Sequence, residues 1–366
     1  MSDGPVPVDA SPTRPLRLRD LSEEDLLARI VPVYAAACGR EGDVLLGPGD
    51  DAAVVAAPSG SVVATTDTMV LGHDWRDDWS SPQDVGDKLV TQNVADVAAM
   101  GARPTGLLVT LAAHQDLEVA WVEGFAHGIA RAAAAYDVAV VGGDLSGAPE
   151  GVVMVTVTAL GDLEGREPVR RSGARPGDLL AVHGSLGESG AGWWLYEHGY
   201  RPDHAGPWSG DGEPTPQRRR AGAMDHLMWV HRTPVTHPGS GALAARAGAT
   251  AMIDLSDGLV RDAGRIARAS GVRIDLDREA LQRDFVAALP VSVLPEQVAW
   301  QQVLTGGEEH SLVATFPAGS SLLRDQDDPD GRWWVIGRVL PRGEEEPAVT
   351  LDGAAVSGQG WDHFGG

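Results

Sequence analysis

The chain has 366 residues, 43% of them hydrophobic and 46 of them glycine, a length and composition that suit two α/β-type domains rather than one. An excess of 52 acidic over 29 basic residues leaves a net charge of −23, so nucleic acid and anionic membrane are poor partners. Lys88 is the only lysine; it follows Asp87, which excludes a Gly-Lys-Ser/Thr phosphate loop and leaves metals and arginines to meet any bound phosphate.

Residues 1–17 are rich in Pro and Ser, read as a disordered tail, and lack the apolar core of a secretory signal. A helix is expected from Leu21 to Cys38, capped by Ser22 and acidic in its first turn. Cys38, the only cysteine, fits the buried side of that pattern; no intrachain disulfide or cysteine zinc site is possible. Short strands follow in DVLLG, AAVVAA and SVVATTD. Residues 82–100 read as a helix, with Ser81 as cap, Pro82 opening it and Gly101 closing it. On it Asp84, Lys88, Gln92 and Asp96 form a polar stripe at i, i+4 spacing, which by itself reads equally as a solvated face.

A strand at 106–111, a helix at 117–136 and strands at 138–141 and 151–160 complete a first unit, 18–170. The second, 171–366, opens with strand DLLAVHG and a helix from Glu188. Residues 201–220 read as an exposed loop. After them come helix 239–248, strand ATAMIDL, helix 257–270, strand VRIDL, two further helices, and strands SLVATF and WWVIGRV. No stretch approaches 18 apolar residues, so no membrane span is expected and the chain reads as cytoplasmic.

Six aspartates stand out: Asp51, Asp67, Asp96, Asp144, Asp254 and Asp257. Nearly all follow an apolar run. Carboxylates gathered at strand ends raise one another's pKa unless a cation intervenes, and hard oxygen ligands suit Mg²⁺. GPGDDA at 47–52 has Gly-x-Gly spacing, but a strand-like AAVVAA follows where a dinucleotide site needs a helix. In TTDT, Thr65, Thr66 and Asp67 all offer hard oxygens, though capping of the strand explains them as well. Gly142 and Gly143 in VVGGD let a backbone approach phosphate oxygens beside Asp144; an ordinary β-turn is the alternative. In IDLSDGL, Ser256 or Asp257 could simply cap a helix, yet Asp254 precedes the cap. Arg170 and Arg171 precede SGARPGD, where an arginine can bind phosphate bidentately or merely decorate a linker. TGGEEHSL sets Glu308 after a glycine pair; His310 reads as surface or packed rather than catalytic.

In series, GPGDDAAVV, TTDTMV, QNVADVAAMGARP, VVGGD, RRSGARPGD, GSLGESGAG, IDLSDGL, LTGGEE and the closing GWDHF resemble the thiamine-monophosphate kinase family, within the aminoimidazole-ribonucleotide-synthetase-like superfamily, from about Leu46 to Phe364. The resemblance implies an α/β (mixed α+β) fold of two domains, an N-terminal sheet-and-helix domain and a C-terminal α/β domain. It implies a homodimer whose N-terminal sheets pack together, and Mg²⁺-dependent transfer of the γ-phosphate of ATP to thiamine monophosphate. Metal ligands would then be Asp51, Thr65, Thr66, Asp67, Asp96, Asp144, Asp254 and Asp257. Gly143, Asp144, Arg171 and Ser256 would contact nucleotide, and Glu308 and Trp361 the acceptor. Two positions depart from the pattern, both on the acceptor side. Asp74 of GHDW stands where the family has a substrate-contacting histidine, with His73 one residue early, and Glu309 replaces an aspartate. The alternatives are another ATP-dependent synthetase of the superfamily or a non-catalytic metal- or nucleotide-binding homologue.

Overall fold

A computed structural model describes residues 14–37, 39–48, 52–201, 216–289, 293–324, 332–343, 346 and 348–356, the side chains of 216–219 excepted. Asp51, Trp361, Cys38, most of the terminal tail and most of the 201–220 loop therefore lie outside the described residues.

Helix α1 (Glu23–Tyr34) begins where Ser22 and Asp25 cap one another: the Ser22 hydroxyl accepts from the Asp25 amide, and the Asp25 carboxylate accepts from the Ser22 amide. Helix α2 (Pro82–Ala99) repeats the device with Ser81 and Asp84. Between them lie strands β1 (Val44–Leu46), β2 (Val54–Val55) and β3 (Val63–Val70). Strand β4 (Arg103–His114), helix α3 (Val119–Ala135), and strands β5 (Ala139–Ala148) and β6 (Val153–Asp162) follow. Strands β3, β6, β4 and β5 form a sheet in that spatial order, antiparallel except for the β4–β5 pair that α3 connects.

One face of this sheet is covered by α2 and α3, with Leu89, Val94, Phe125 and Ile129 packed on Val155 and Val157. The helices touch through glycines: a Cβ on Gly128 would lie 2.1 Å from the Gln83 carbonyl oxygen. Among the described residues the other face is uncovered; its side chains Thr66, Thr68, Leu108, Met154, Thr156 and Thr158 are uncharged and at least partly exposed, and exposed Asp144, in register with Thr110, brings a carboxylate to its β5 edge.

These strands run longer than the sequence pattern suggests. Asp67 sits within β3, which continues to Val70, and Gly142, Gly143 and Asp144 lie inside β5 rather than in a turn after it. The register of β4 against β5 slips between Leu107 and Leu108. Just past the slip, a Cβ on Gly143 would lie 1.8 Å from the Val109 carbonyl oxygen. Sheet packing alone thus requires glycine at 143.

The second half contains β7 (Leu179–His183), α4 (Glu188–Glu197), α5 (Pro216–Arg232), α6 (Pro238–Arg246), β8 (Ala251–Asp254), α7 (Leu259–Ser270), β9 (Val272–Leu276), α8 (Arg278–Leu281), α9 (Glu296–Thr305), β10 (Leu312–Phe316), β11 (Trp334–Pro341), β12 (Val349–Leu351) and β13 (Ala354–Ala355). The sheet order is β13-β12-β9-β11-β7-β10-β8. Helix α5 starts inside the segment expected to be loop, because Met224, Leu227 and Met228 give it an apolar side that packs on the core. Helices α4, α5, α7 and α9 enclose a core with Leu180, Ile253 and Val313 on one sheet face. The opposite face receives α6 and the last turn of α2, where Ala98 and Ala99 share a cluster with Met252, Phe316 and Trp333. Helix α2 is thereby packed into both halves.

Candidate active site at the domain seam

The polar stripe of α2 is not a solvated face. Asp84 and Lys88 are buried, and each residue of the stripe that bears charge meets the second half. The Arg232 guanidinium of α5 donates to Asp84 Oδ2 at 2.7 Å. Lys88 Nζ lies 2.6 Å from Glu308 Oε1. Asp96, two turns further on, accepts from Thr65 Oγ1 at 2.7 Å and faces Asp254 and Asp67. Burial and those two carboxylates together push Asp96 up to about 7, against the opposing pull of the Thr65 hydrogen bond.

Asp254 ends β8, is buried, and lies opposite Leu312 of β10. His310 Nδ1 stands 3.8 Å from its Oδ2. Both His310 ring nitrogens are buried, and neither has a hydrogen-bond partner among the described residues. Ser256 and Asp257 follow Asp254, but neither side chain caps α7; Gly258, at φ 103°, occupies the cap position. The buried Asp262 carboxylate instead accepts from the Ser256 and Asp257 amides at 3.1 and 3.0 Å. Asp257 is paired with Arg265, and Arg261 lies 3.6 Å away.

The Gly-Gly-Glu-Glu-His segment distributes its three polar side chains in different directions. Glu308 and His310 both adopt left-handed backbone conformations, φ 62° and 53°, which cost non-glycine residues on the order of 1–3 kcal/mol each. Their amides donate to the Ser256 and Leu255 carbonyls at 2.8 and 2.9 Å, which holds the segment in place. Glu308 turns to α2, where Lys88 at 2.6 Å is joined by His231 Nδ1 at 3.5 Å. Burial works to raise its pKa, but Lys88 and His231 outweigh it and hold the carboxyl down at about 2. Glu309 points the other way, accepting from Ser185 Oγ and the Ser189 amide, both at 2.8 Å. It anchors the start of α4, so its extra methylene relative to the family's aspartate bears on that anchor and not on the acceptor side.

The structure thus gathers Thr65, Asp67, Asp96 and Asp254, with Ser256, Asp257 and Glu308 on the adjoining loops. It leaves others apart. The Thr66 hydroxyl lies on the opposite sheet face, donating to the Val157 carbonyl at 3.1 Å and paired with Thr158 Oγ1; only its main-chain oxygen could serve a metal. Asp144 sits on β5, at the far edge of the sheet from β3, three strand spacings or about 14 Å away. The Arg171 carbonyl accepts from Ser270 at the end of α7, while Ser256 precedes its start, so α7 separates the two. Beside Arg171, a cleft of about 660 Å³ is lined by Arg166, Arg170, Ser172 and Arg246. Asp74 is engaged in its own turn, accepting from the Val70 amide at 2.8 Å, with His73 Nδ1 at 3.1 Å on its other oxygen. His73 is the more exposed of the pair, with 49% of its side chain accessible against 19%.

Sequence reasoning passed over Lys88, Arg232 and His231 as site residues. Their partners lie far away in sequence; the one available signal was that the only lysine shares a stripe with Asp96.

The chain matches AIR synthase related protein, N-terminal domain, over residues 49–163, and the corresponding C-terminal domain over 175–350. Thiamine-monophosphate kinase of Mycobacterium tuberculosis is 43% identical over 328 residues, covering 88% of this chain and 86% of the relative. The chain belongs to the thiamine-monophosphate kinase family. The kinase of Escherichia coli K12 is 36% identical over 278 residues, 75% of this chain and 77% of the relative. Among solved structures, the thiamine-monophosphate kinase of Stenotrophomonas maltophilia superposes with TM-score 0.72 at 28% identity, covering 91% of this chain and 98% of that one. AaThiL, complexed with AMPPCP and TMP, superposes with TM-score 0.65 at 30% identity, over 95% and 99%. The hydrogenase maturation protein HypE in complex with ATP, at 19% identity and TM-score 0.64, shares the fold.

Proposed function

We propose that this member of the thiamine-monophosphate kinase family transfers the γ-phosphate of ATP to the phosphate of thiamine monophosphate, giving thiamine diphosphate and ADP. The observation that carries the reading is the convergence of Asp96, Asp67 and Asp254 where α2, β3 and β8 meet, in a chain 43% identical to a thiamine-monophosphate kinase over most of its length.

Mg²⁺ fits this donor set. Among the described residues no three His, Cys, Asp or Glu side chains close around an ion by themselves. Mg²⁺ retains water and takes phosphate oxygens, so a few carboxylates facing a cleft suit it better than a closed cage. The carboxylates that repel one another around Asp96 are the kind of site a divalent cation relieves. Bound there, with Asp51, Asp144 and Asp257 as further ligands, Mg²⁺ would neutralise phosphate oxygens and hold donor and acceptor in line. The chain itself needs to position two anions. The acceptor oxygen is already charged at neutral pH, and no side chain is assigned as a general base. Gly143, Arg171 and Ser256 are assigned to nucleotide, and Glu308, His73 or Asp74, and Trp361 to the acceptor.

The active unit we propose is a homodimer. The outer face of the four-stranded sheet, apolar or hydroxyl-bearing over its centre with Asp144 at the β5 edge, is suited to bury against a second copy, and Thr66–Thr158 and Thr68–Thr156 side-chain pairs already satisfy four of its hydroxyls. Two such sheets packed together bring the β5 edge of one beside the β3 edge of the other, which supplies Asp67 with Asp144 of the partner subunit. No helix among the described residues is long and apolar enough to cross a membrane, and we place the enzyme in the cytoplasm.

The test is thiamine diphosphate formed from thiamine monophosphate and ATP with and without Mg²⁺. Magnesium-dependent product is expected. ATP binding without product would move the acceptor assignment to another phosphate ester.

A further inference from the structure

Lys88 is buried to 4% exposure in the seam, and among the described residues its ammonium is paired with one carboxylate, Glu308 Oε1 at 2.6 Å. A buried lysine is expensive unless paired, and a surface arginine interspersed elsewhere would serve solubility without that cost. Glu308 is itself held in a left-handed backbone conformation by the hydrogen bond its amide donates to the Ser256 carbonyl. Its second oxygen faces His231 at 3.5 Å, and His231 is kept neutral by burial and by Lys88. One carboxylate is therefore fixed from three directions, by a backbone clamp and His231 in one domain and an ammonium from the other, while 36% of its side chain remains exposed.

We propose that Lys88 is a positioning residue for phosphoryl transfer: from the N-terminal domain it orients Glu308 of the C-terminal domain as the carboxylate that receives the cationic acceptor. This deepens the reading above and rests on Glu308 contacting thiamine monophosphate. That acceptor carries a permanently charged thiazolium, and a carboxylate already oriented and ionised binds such a cation without reorganising. Because the pair spans the seam, the acceptor site is complete only when the two domains are docked as they are here. The neighbouring Asp84–Arg232 pair, one turn away on α2, joins the same two domains without touching Glu308, and so serves as a control for domain docking alone.

The experiment measures steady-state kinetics and melting temperature for Lys88→Met, Lys88→Arg, Glu308→Gln, Lys88→Met/Glu308→Gln and Arg232→Met in the full chain with Mg²⁺. Expected is a rise of at least tenfold in KM for thiamine monophosphate in Lys88→Met, with KM for ATP within twofold, partial recovery in Lys88→Arg, and a double variant no worse than Glu308→Gln alone. Arg232→Met should lower the melting temperature without that split between the two substrates. If Glu308→Gln leaves KM for thiamine monophosphate unchanged, the assignment of Glu308 is wrong and the proposal goes with it. If Glu308→Gln raises that KM and Lys88→Met does not, the assignment survives and the role of Lys88 is refuted. Loss of both substrates' affinity in proportion to lowered melting temperature, the same for Lys88→Met and Arg232→Met, would reduce Lys88 to a docking contact and also refutes it.

Discussion

Replacing Asp96 by asparagine should make the metal-free protein more stable while abolishing its use of Mg²⁺. Asp96 is pressed by burial, Asp254 and Asp67 from an ordinary value of 3.8 up to about 7. An acid whose folded pKa is raised favours the folded state least when ionised: its penalty is absent below the unfolded value and complete above the folded one. At about 1.4 kcal/mol per pH unit, the interval from 3.8 to about 7 caps the gain on removing the charge at about 4 kcal/mol. Relaxation and water entry reduce it to roughly 2 kcal/mol. Asparagine keeps an oxygen to accept from Thr65. Urea unfolding of both proteins at pH 8 in EDTA should show the variant ahead by that amount, with the gap shrinking at pH 5.5. Adding Mg²⁺ at pH 8 should stabilise the wild type and leave the variant nearly unmoved. A variant less stable than wild type at pH 8 in EDTA, or a gap that does not shrink at pH 5.5, would refute the electrostatic account of the site.

Other outcomes can be checked alongside. Asp144→Asn and Asp67→Asn should each lose Mg²⁺-dependent product by at least 100-fold; mixed after unfolding and refolding together, they should recover about one quarter of wild-type activity, since half the dimers then hold one intact site of two. No recovery would place both residues in one chain's site. Gly128→Ala should lower stability by about 1–3 kcal/mol despite alanine's better helix propensity, because its Cβ would lie 2.1 Å from the Gln83 carbonyl oxygen; thermal unfolding decides it. Glu309, raised from 4.5 to about 7 by burial and Glu188, penalises the folded state increasingly as pH rises between those two values and fully above them, so Glu309→Gln should lose less stability than wild type between about pH 5 and pH 7.5 in chemical denaturation.

What could be read in the sequence was local. The Ser22 and Ser81 caps, the Pro82 opening and the apolar spacing of α2 and α3 placed those helices, because the signals lie within a turn of the residues they control. Strand ends were misjudged where a turn signal proved to be a bulge: Gly142–Gly143 looks like a stop, yet β5 continues to Ala148. Asp96 and Asp254 were visible as candidates through the strings around them, but their meeting depends on α2 packing into both halves. The stripe of Asp84, Lys88, Gln92 and Asp96 has the spacing of a solvated helix face, and only the docking of the second domain turns it into a seam. Asp262, which organises the amides of Ser256 and Asp257, gave no signal because an acid in the first turn of a helix is ordinary.

That the chain owns a single lysine, buried at this seam, has a practical consequence. A lysine-specific endoprotease has one cleavage point, after Lys88 in the middle of α2, and cannot reach it while the domains are docked. The rate at which the intact chain yields its two fragments is then a clock for opening of the seam together with local unwinding of α2, whose Leu89 and Val90 pack into the N-terminal core, readable on a gel without any engineered label. Slower cutting in the presence of a given nucleotide or thiamine ester would report which ligands hold the two domains together.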